Sequence, residues 1–495
     1  MKNNISYVIK TIAFAIITAF VVLGINGIEN PKYFYNSTWP TTATYTGFYK
    51  MPKNSVDVLF FGSSHAASSI CPQELYDQYG ITSYNLGCEQ QNILVSYYWL
   101  KEALNYQHPK AVVIDTYMLQ LYNDKEPLNT AEVCTRKAID YMRWGKVKIS
   151  AIKDICKEDT NQDIWSYYLT NIRFHNRWTW IEESDFTYSQ LAKHFETKGY
   201  APLYDRNGNP DYNPFSVNAA NNKYELHSLM VKYMQKIVDL CRENNIALIM
   251  IKTPTTATSV ECHNAVQTFA DENQVEFFDL NEKAAYRKLK YKFATDMADD
   301  SHPNVSGATK ITNYIGRLLQ SGYDLESKSN ATWDDSEWYW NDVKTMYSLP
   351  EENDVVQYLK KINEDRYSIF MAVKDEASSG LKKEVVDAMH ELGFAFELEG
   401  KWRNSYVAVK TQDEVFEKIS DQEIKKDGTY RDGRMGYKIT SAGAECGNSA
   451  SINLAGIEYS KNQRGINIVV YDNIGQKVVD SVCFDTHVAE ETACR

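Results

Sequence analysis

The chain is expected to be α/β, with a mostly parallel sheet covered by helices on both faces, followed by a smaller β-rich unit. Three observations predict this. From residue 56, short apolar runs alternate with segments of helical period, the pattern of strand–helix–strand crossovers. After Tyr323 that alternation stops and short strand-like runs dominate. At 495 residues the chain also exceeds what one compact core supports, so more than one domain is expected.

The elements follow in order. "MKNNISYVIKTIAFAIITAFVVLGINGIENP" carries Lys2 and Lys10, then an uncharged run from Thr11 to Ile28. That run is long enough to span a bilayer if Lys10 snorkels, and it has no good small-residue cleavage site. A retained anchor over residues 1–29 is therefore expected, with a cleaved signal peptide as the competing reading. The basic residues before the run and Glu29 after it place the N-terminus in the cytoplasm and the remainder outside, at the cell membrane. "VDVLFF" reads as the first strand and "CPQELYDQY" as a short helix with Pro72 near its start. "TSYNLG" is a second strand, "NILVSYYWLKEALNY" a helix and "AVVIDTYML" a third, buried strand. "ELHSLMVKYMQKIVDLCRENN", "IALIMIKTP", "NAVQTFADENQ", "VEFFDL" and "GATKITNYIGRLLQ" continue the alternation to a closing helix. Between about 123 and 222 the alternation lapses into an aromatic-rich, then turn-rich insertion, the kind of segment that shapes a site at the carboxyl ends of parallel strands.

"ESKSNATWDDSEWYWNDV" reads as a polar connector, taken over 326–350. A second unit over 351–495 contains "YSIFMAVKDE", "YVAVK", "MGYKITSAG", "SASINLAG", "GINIVVYD" and "KVVDSVCFD" as strands, with "GLKKEVVDAMHEL" as a helix. The net charge of −12, with no Lys/Arg cluster, argues against a nucleic-acid partner. The nine cysteines have no zinc-type spacing, so no metal and no cofactor is expected. Cys446, Cys483 and Cys494 are close enough in sequence to include one disulfide in an oxidising compartment, with the pairing open.

The chemistry is expected around "FFGSSHA". A serine hydroxyl becomes a nucleophile when a base takes its proton and an acid orients that base. Ser64 stands at the end of the first strand. His302 in "MADDSHPNVSG" is the candidate base, and Asp299, three residues earlier, its orienting acid; Asp300 is the alternative acid. That loop follows the last sheet strand, which places it on the same rim as Ser64. His65 is a neighbour that lines the site or packs, and Asp115 and Tyr117 are candidate site walls.

"FFGSSHA" resembles the first block of SGNH (GDSL-type) hydrolases and acyltransferases, "YNLG" their second block and "DDSHPN" their final DxxH block. The resemblance covers about residues 50–325. It implies a flavodoxin-like three-layer domain in which Ser64 is the nucleophile and an oxyanion donor through its amide, Gly87 a second oxyanion donor, and His302 and Asp299 complete the triad. The run "GSSHAASSICPQELYDQYGITSYNLG" is similar to the membrane-anchored branch that includes teichoic-acid D-alanyl transfer proteins. This implies an extracytoplasmic acyltransferase or esterase that adds or removes O-acyl groups, acetyl or D-alanyl in type, on a cell-surface polysaccharide or teichoic acid. A membrane O-acyltransferase would be a natural donor partner. Two departures stand out: Ser63 replaces the family's aspartate before the nucleophile, and "VVIDTYML" lacks the third-block asparagine. Gln91 and Asn92 (with Gln90 beside them) are the substitutes considered for that missing donor. The departures also leave open a non-catalytic glycan-binding protein on a degenerate scaffold.

In the second unit, "RGINIVVYD" and "FDT" resemble the interleukin-like EMT inducer (ILEI, or GG) domain, and "YSIFMAVKDEASSGLKKEVVDAMHELG" with "KWRNSYVAVK" resembles that family's other half. The halves occur in reversed order, which implies a circular permutation. The resemblance implies a glycan-binding module, with a structural or protein-contacting domain as the alternative. Trp402, Arg403 and Asp485 are candidate contacts, because an aromatic face with a neighbouring charge and carboxylate suits a sugar ring.

Overall fold

The computed structural model describes every residue except 1, 34–37, 124, 183–184, 187–195, 218–223, 324, 326, 431–432, 474–475 and 489–491, with backbone only for 2–5. It separates into two compact units, Met1–Trp340 and Asn341–Arg495.

The first unit begins with α1 (Lys2–Glu29), whose Ser6–Glu29 stretch is long and apolar enough to cross a membrane or to serve as a signal sequence. After α2 (Thr41–Phe48) come β1 (Val58–Phe61), α3 (Ser64–Ser69), α4 (Pro72–Tyr79), β2 (Ser83–Asn85), α5 (Ile93–Ala103) and β3 (Ala111–Asp115). β4 (Ala247–Lys252) and β5 (Glu276–Asp279) complete a five-stranded sheet in the order β2-β1-β3-β4-β5. Every pair in it is parallel.

Strand alternation divides the core into two layers. Leu59, Phe61, Val112, Ile114 and Met250 point into one cluster, packed against α5 and the helix Ser228–Glu243. Val58, Phe60, Val113, Ile249 and Ile251 point into the other, packed against α4 and the closing helix Val305–Gly322. Burial on both faces is why these strands read as continuous apolar runs rather than as alternating ones. The chain winds in opposite directions from β1 and from β3, so their carboxyl ends open a crevice, the usual ligand position in such sheets.

Two segments differ in detail from their sequence readings. "AVVIDTYML" is a strand only to Asp115, because the Asp115 carboxylate accepts the Tyr117 amide at 3.0 Å and starts the short helix α6 (Tyr117–Gln120). The polar-looking stretch after residue 326 forms helices Ala331–Asp334 and Glu337–Ser348. Trp333 and Trp340 are fully buried there; the Trp333 carbonyl accepts from Gln73 at 3.0 Å, and the Trp340 indole donates to Glu74 at 2.6 Å. Each short helix turns its tryptophan inward, while Asp334, Asp335 and Glu337 between them are exposed.

Residues 124, 183–184, 187–195 and 218–222 of the insertion, and 326 of the connector, lie outside the described residues. The described part of the insertion contains helices Glu132–Ile139, Lys146–Glu158, Ile164–Tyr168 and Asn171–Phe174, then a 3₁₀ turn His175–Trp180.

The second unit is β-rich. Its sheet runs through β6 (Tyr367–Asp375), β7 (Ser405–Lys410), β8 (Val415–Ser420), β9 (Ile424–Tyr430), β10 (Met435–Gly443), β11 (Ser449–Leu454), β12 (Ile457–Glu458), β13 (Gly465–Asp472), β14 (Lys477–Phe484) and β15 (Ala493–Cys494). β8 carries Glu417 and Lys418 and β9 carries Lys425, Lys426 and Asp427 as consecutive charges, which hid their strand character in the sequence.

Candidate functional site

Gly62 follows β1 with φ +143°, a conformation closed to other residues, and a Cβ there would lie 2.9 Å from the Asp115 Cβ. The turn it permits delivers Ser63 as the N-cap of α3, its hydroxyl accepting the His65 amide at 3.3 Å, and Ser64 as the first helical residue. Position N1 leaves the Ser64 N–H without an intrahelical acceptor. The final loop supplies the partners. Asp299 Oδ1 accepts the amides of Ser301 and His302 at 2.7 and 2.8 Å, and the His302 carbonyl accepts the Ala298 amide at 2.8 Å. This closed turn fixes the side chains relative to each other.

His302 Nε2 lies 2.9 Å from Ser64 Oγ. Its Nδ1 lies 2.9 Å from Asp299 Oδ2 and 3.1 Å from Oδ1. Burial would raise the Asp299 carboxyl, but the His302 imidazole and the two backbone amides outweigh it and hold the group below its usual range. An ionised Asp299 holds the proton on Nδ1 and leaves Nε2 free to accept from serine. Asp300, the alternative acid, points elsewhere and accepts the Asn209 amide at 3.1 Å.

The remaining candidates divide clearly. Gly87 packs beside the turn, since a Cβ there would lie 3.1 Å from the Gly62 carbonyl, but its N–H is given to Asn85 Oδ1 at 3.0 Å. Gln91 is fully buried; its amide donates to Tyr45 at 2.6 Å and to the Leu86 carbonyl at 2.9 Å, and accepts Ser96. Asn92 caps α5 through the Val95 amide and donates to Thr135. The structure thus gives Gln91 and Asn92 framing positions, with both amides turned to the frame rather than to Ser64. Gln90 accepts from Thr130.

His65 and Tyr117 do meet at the site. His65 stacks on Tyr117 at 3.8 Å between centroids and lies 5.2 Å from the His302 ring. It is buried, its Nδ1 has no hydrogen-bond partner, and burial, then Lys252 and His302, push its pKa well below the usual value. On the same ring stands Lys252 Nζ, 4.2 Å from the Tyr117 centroid. Lys252 is fully buried with no hydrogen-bond partner; burial lowers its pKa, while Asp115 and Asp279 on the flanking strands partly oppose that.

Sequence reasoning missed three contributors. Trp39 packs against His302 at 5.2 Å and, with Gly87 and Ala201, lines a small recess. Asn304 caps the closing helix through the Gly307 amide and ties Asp205 and Thr295 to the His302 loop at 2.9 Å each. Lys252 looked like the ordinary end of a strand. Only Asn304 had a readable signal, an asparagine three residues before a glycine at a helix start. The insertion also braces this loop: Leu203 accepts the Val305 amide and Met297 that of Asn207.

In the second unit, Trp402 is half exposed and lies 5.9 Å from the His487 ring, with the Arg403 guanidinium 5.3 Å from the Trp402 indole. Arg403 pairs with Glu445 at 3.2 Å, and Asp485 is held by Arg464 at 2.7 Å while accepting the His487 amide. Glu376 accepts from His487 Nδ1 at 2.7 Å and from the Ser378 and Ser379 amides.

Residues 341–414 match the interleukin-like EMT inducer family, so this segment carries that domain. No curated protein matches the chain. Among solved structures, the chain is similar to a Bacteroides fragilis protein named as a candidate acylhydrolase, at 12% identity with a TM-score of 0.27, covering 57% of this chain and 95% of that one.

Proposed function

We propose that the first unit is a serine enzyme of the SGNH type that makes or breaks O-acyl esters, with Ser64 as nucleophile, His302 as general base and Asp299 as orienting acid. The observation that carries this reading is the unbroken hydrogen-bond chain Ser64–His302–Asp299, assembled from the two ends of the sheet domain.

In this mechanism Ser64 Oγ attacks the acyl carbonyl as its proton moves to His302 Nε2. The tetrahedral oxyanion is met by the Ser64 N–H, and by the Gly87 N–H if substrate displaces its bond to Asn85. His302 then protonates the leaving alcohol, and an acyl-serine remains. Water or a sugar hydroxyl attacks that ester, with His302 again taking the proton, and Ser64 is regenerated. The substrates we propose are O-acylated cell-surface glycans, polysaccharide or teichoic acid, met outside the membrane that α1 spans. Trp402, Arg403 and Asp485 would help the second unit hold a sugar ring. Transfer from a membrane O-acyltransferase partner fits the anchored position of the site: Trp39, against His302, is only ten residues beyond Glu29. An extended segment of that length reaches about 35 Å.

One feature favours a second reading, a non-catalytic glycan-binding scaffold: Gln91 and Asn92, the side-chain amides considered for the third oxyanion position, face the frame. A fluorophosphonate probe on the full-length protein in detergent separates the two. Labelling of wild type that disappears in Ser64→Ala and His302→Ala supports the enzyme. A folded wild type that stays unlabelled sinks it and leaves the scaffold.

A further inference from the structure

The end of α1 is built into the first unit. The Asn26 side-chain oxygen accepts the Asn171 amide at 2.9 Å, and the Asn26 carbonyl accepts the Thr170 hydroxyl at 3.3 Å. The Ile28 carbonyl, at the negative end of the helix, accepts from Arg177 and from Lys32, both at 3.0 Å. Arg177 then grips Asp185 through two bonds of 2.8 Å, and Lys32 stands 3.6 Å from the same carboxylate. Asn26 and Glu29 are buried, as are the side chains of Lys32 and Asp185. Thr170, Asn171, Arg177 and Asp185 are thereby fixed at the level where α1 ends.

That level has a physical meaning. At 1.5 Å per residue, the uncharged run from Thr11 to Ile28 is about 27 Å long, close to the roughly 30 Å hydrocarbon core of a bilayer. Asn26 to Glu29 then fall at the boundary between acyl chains and headgroups, and whatever is bonded to them falls there too.

The surface next to this junction carries aromatic side chains that a soluble face would not expose together. Trp165, Trp178 and Trp180 are each about two-thirds exposed, at 66%, 66% and 69%, and Trp144 and Ile172 are about half exposed. Trp144 stacks on Tyr168 at 5.1 Å, and Tyr168 also meets Trp165 at 6.0 Å, so part of the group is preassembled. Tryptophan and tyrosine favour the membrane interface because an apolar ring body and a polar edge are both satisfied there.

We infer that this aromatic face of the insertion lies in the interfacial region of the same bilayer that α1 enters, so the domain is seated on the membrane rather than held off it by a flexible tether. The occupant is lipid, and continuity with the α1 junction sets its depth. This inference does not depend on the acyl chemistry.

The test uses full-length protein reconstituted in liposomes of phosphatidylcholine with brominated acyl chains, where no other protein is present. Bromine quenches tryptophans close to the hydrocarbon boundary. Wild type should lose a large share of its emission relative to unbrominated liposomes. The triple variant Trp165→Phe, Trp178→Phe, Trp180→Phe replaces exposed side chains, so the fold is kept, and it should lose at least half of the quenched component. A second variant, Trp178→Glu with Trp180→Glu, should reduce quenching of the remaining tryptophans. No quenching in wild type, or equal quenching with and without the three tryptophans, would overturn the inference.

Discussion

His302 Nε2 stands 2.9 Å from the Ser64 hydroxyl oxygen, although 238 residues separate the two in the chain. The alignment rests on a loop held from both sides, by Asp299 within it and by Asn304 at its exit. Ester turnover should therefore collapse by at least about 10³-fold in Ser64→Ala or His302→Ala, and the double variant should be no worse than either single one, because the residues act as a unit. Asp299→Asn should lower kcat by about 10²–10⁴-fold with little change in KM. Equal, additive losses in the double variant would argue against a shared proton path.

His65 stacks between Tyr117 and the His302 ring. As a neutral packing element it tolerates an aromatic replacement and not a small one. His65→Phe should keep the melting temperature and most of the activity, while His65→Ala should cost about 2–4 kcal/mol through the cavity it opens. Urea unfolding with steady-state kinetics on both variants checks this. Loss of kcat in the Phe variant at unchanged stability would give the imidazole nitrogens a direct role.

Lys252 carries a buried amine above Tyr117 with no hydrogen-bond acceptor. Its pKa is lowered in the folded state, so the unfolded chain binds the proton more tightly and stability rises with pH toward the ordinary value of 10.5. Lys252→Met should be neutral or stabilising by about 1–3 kcal/mol at pH 7. It should also remove part of the gain in melting temperature between neutral pH and about pH 9.5. A destabilised variant with an unchanged pH slope would mean that the amine is partnered in solution.

How far these sites could be read from sequence depends on what each residue signals locally. Ser64, Asp299 and His302 stood out because a Gly-Ser turn after an apolar strand and a DxxH loop before a helix both punctuate the pattern. Gly87 could be placed only near the rim, since the direction of one amide depends on the Asn85 side chain. Gln91 and Asn92 looked available because nothing in sequence shows that Tyr45, Leu86 and Val95 use their amides. Trp333 and Trp340 were read as part of a polar connector because neighbouring Asp and Glu residues dominate the composition, whereas burial is decided by which side chain each short helix turns inward. Strands β8 and β9 were missed for the related reason that a partly exposed strand can carry consecutive charges, Glu417 and Lys418 in one and Lys425 to Asp427 in the other.

In the second unit, Glu376 is buried and accepts from His487 and the Ser378 and Ser379 amides. Burial opposes its ionisation, but these bonds prevail and move its pKa from the ordinary 4.5 to about 2. A depressed carboxyl contributes stability that is present above pH 4.5 and lost as pH falls toward 2. Glu376→Gln should lower stability at neutral pH by about 1–3 kcal/mol and flatten the acid side of the stability profile within that window. Calorimetry across the acid range reads both effects, and a profile identical to wild type would refute the assignment.

Cys483 and Cys494 lie directly opposite each other on the antiparallel strands β14 and β15. Cys446 is bonded to Ser405 and the Gly443 carbonyl, and the Cys483 thiol donates to the Gln463 and Arg464 carbonyls. All nine cysteines are unbridged thiols in the structure. Directly opposed antiparallel residues have Cα atoms about 4.5–5.5 Å apart, inside the range a disulfide requires. Of the pairings open in the sequence, this geometry selects Cys483–Cys494, and exposed Cys494 gives an oxidant access. Protein prepared under oxidising conditions should yield a Cys483–Cys494 linked peptide on non-reducing digestion. The crosslink closes a short loop, so it should add about 2–3 kcal/mol of stability that reduction or Cys494→Ser removes. A linked peptide containing Cys446 instead, or equal stability of oxidised and reduced protein, would show that the β14–β15 register does not direct the pairing.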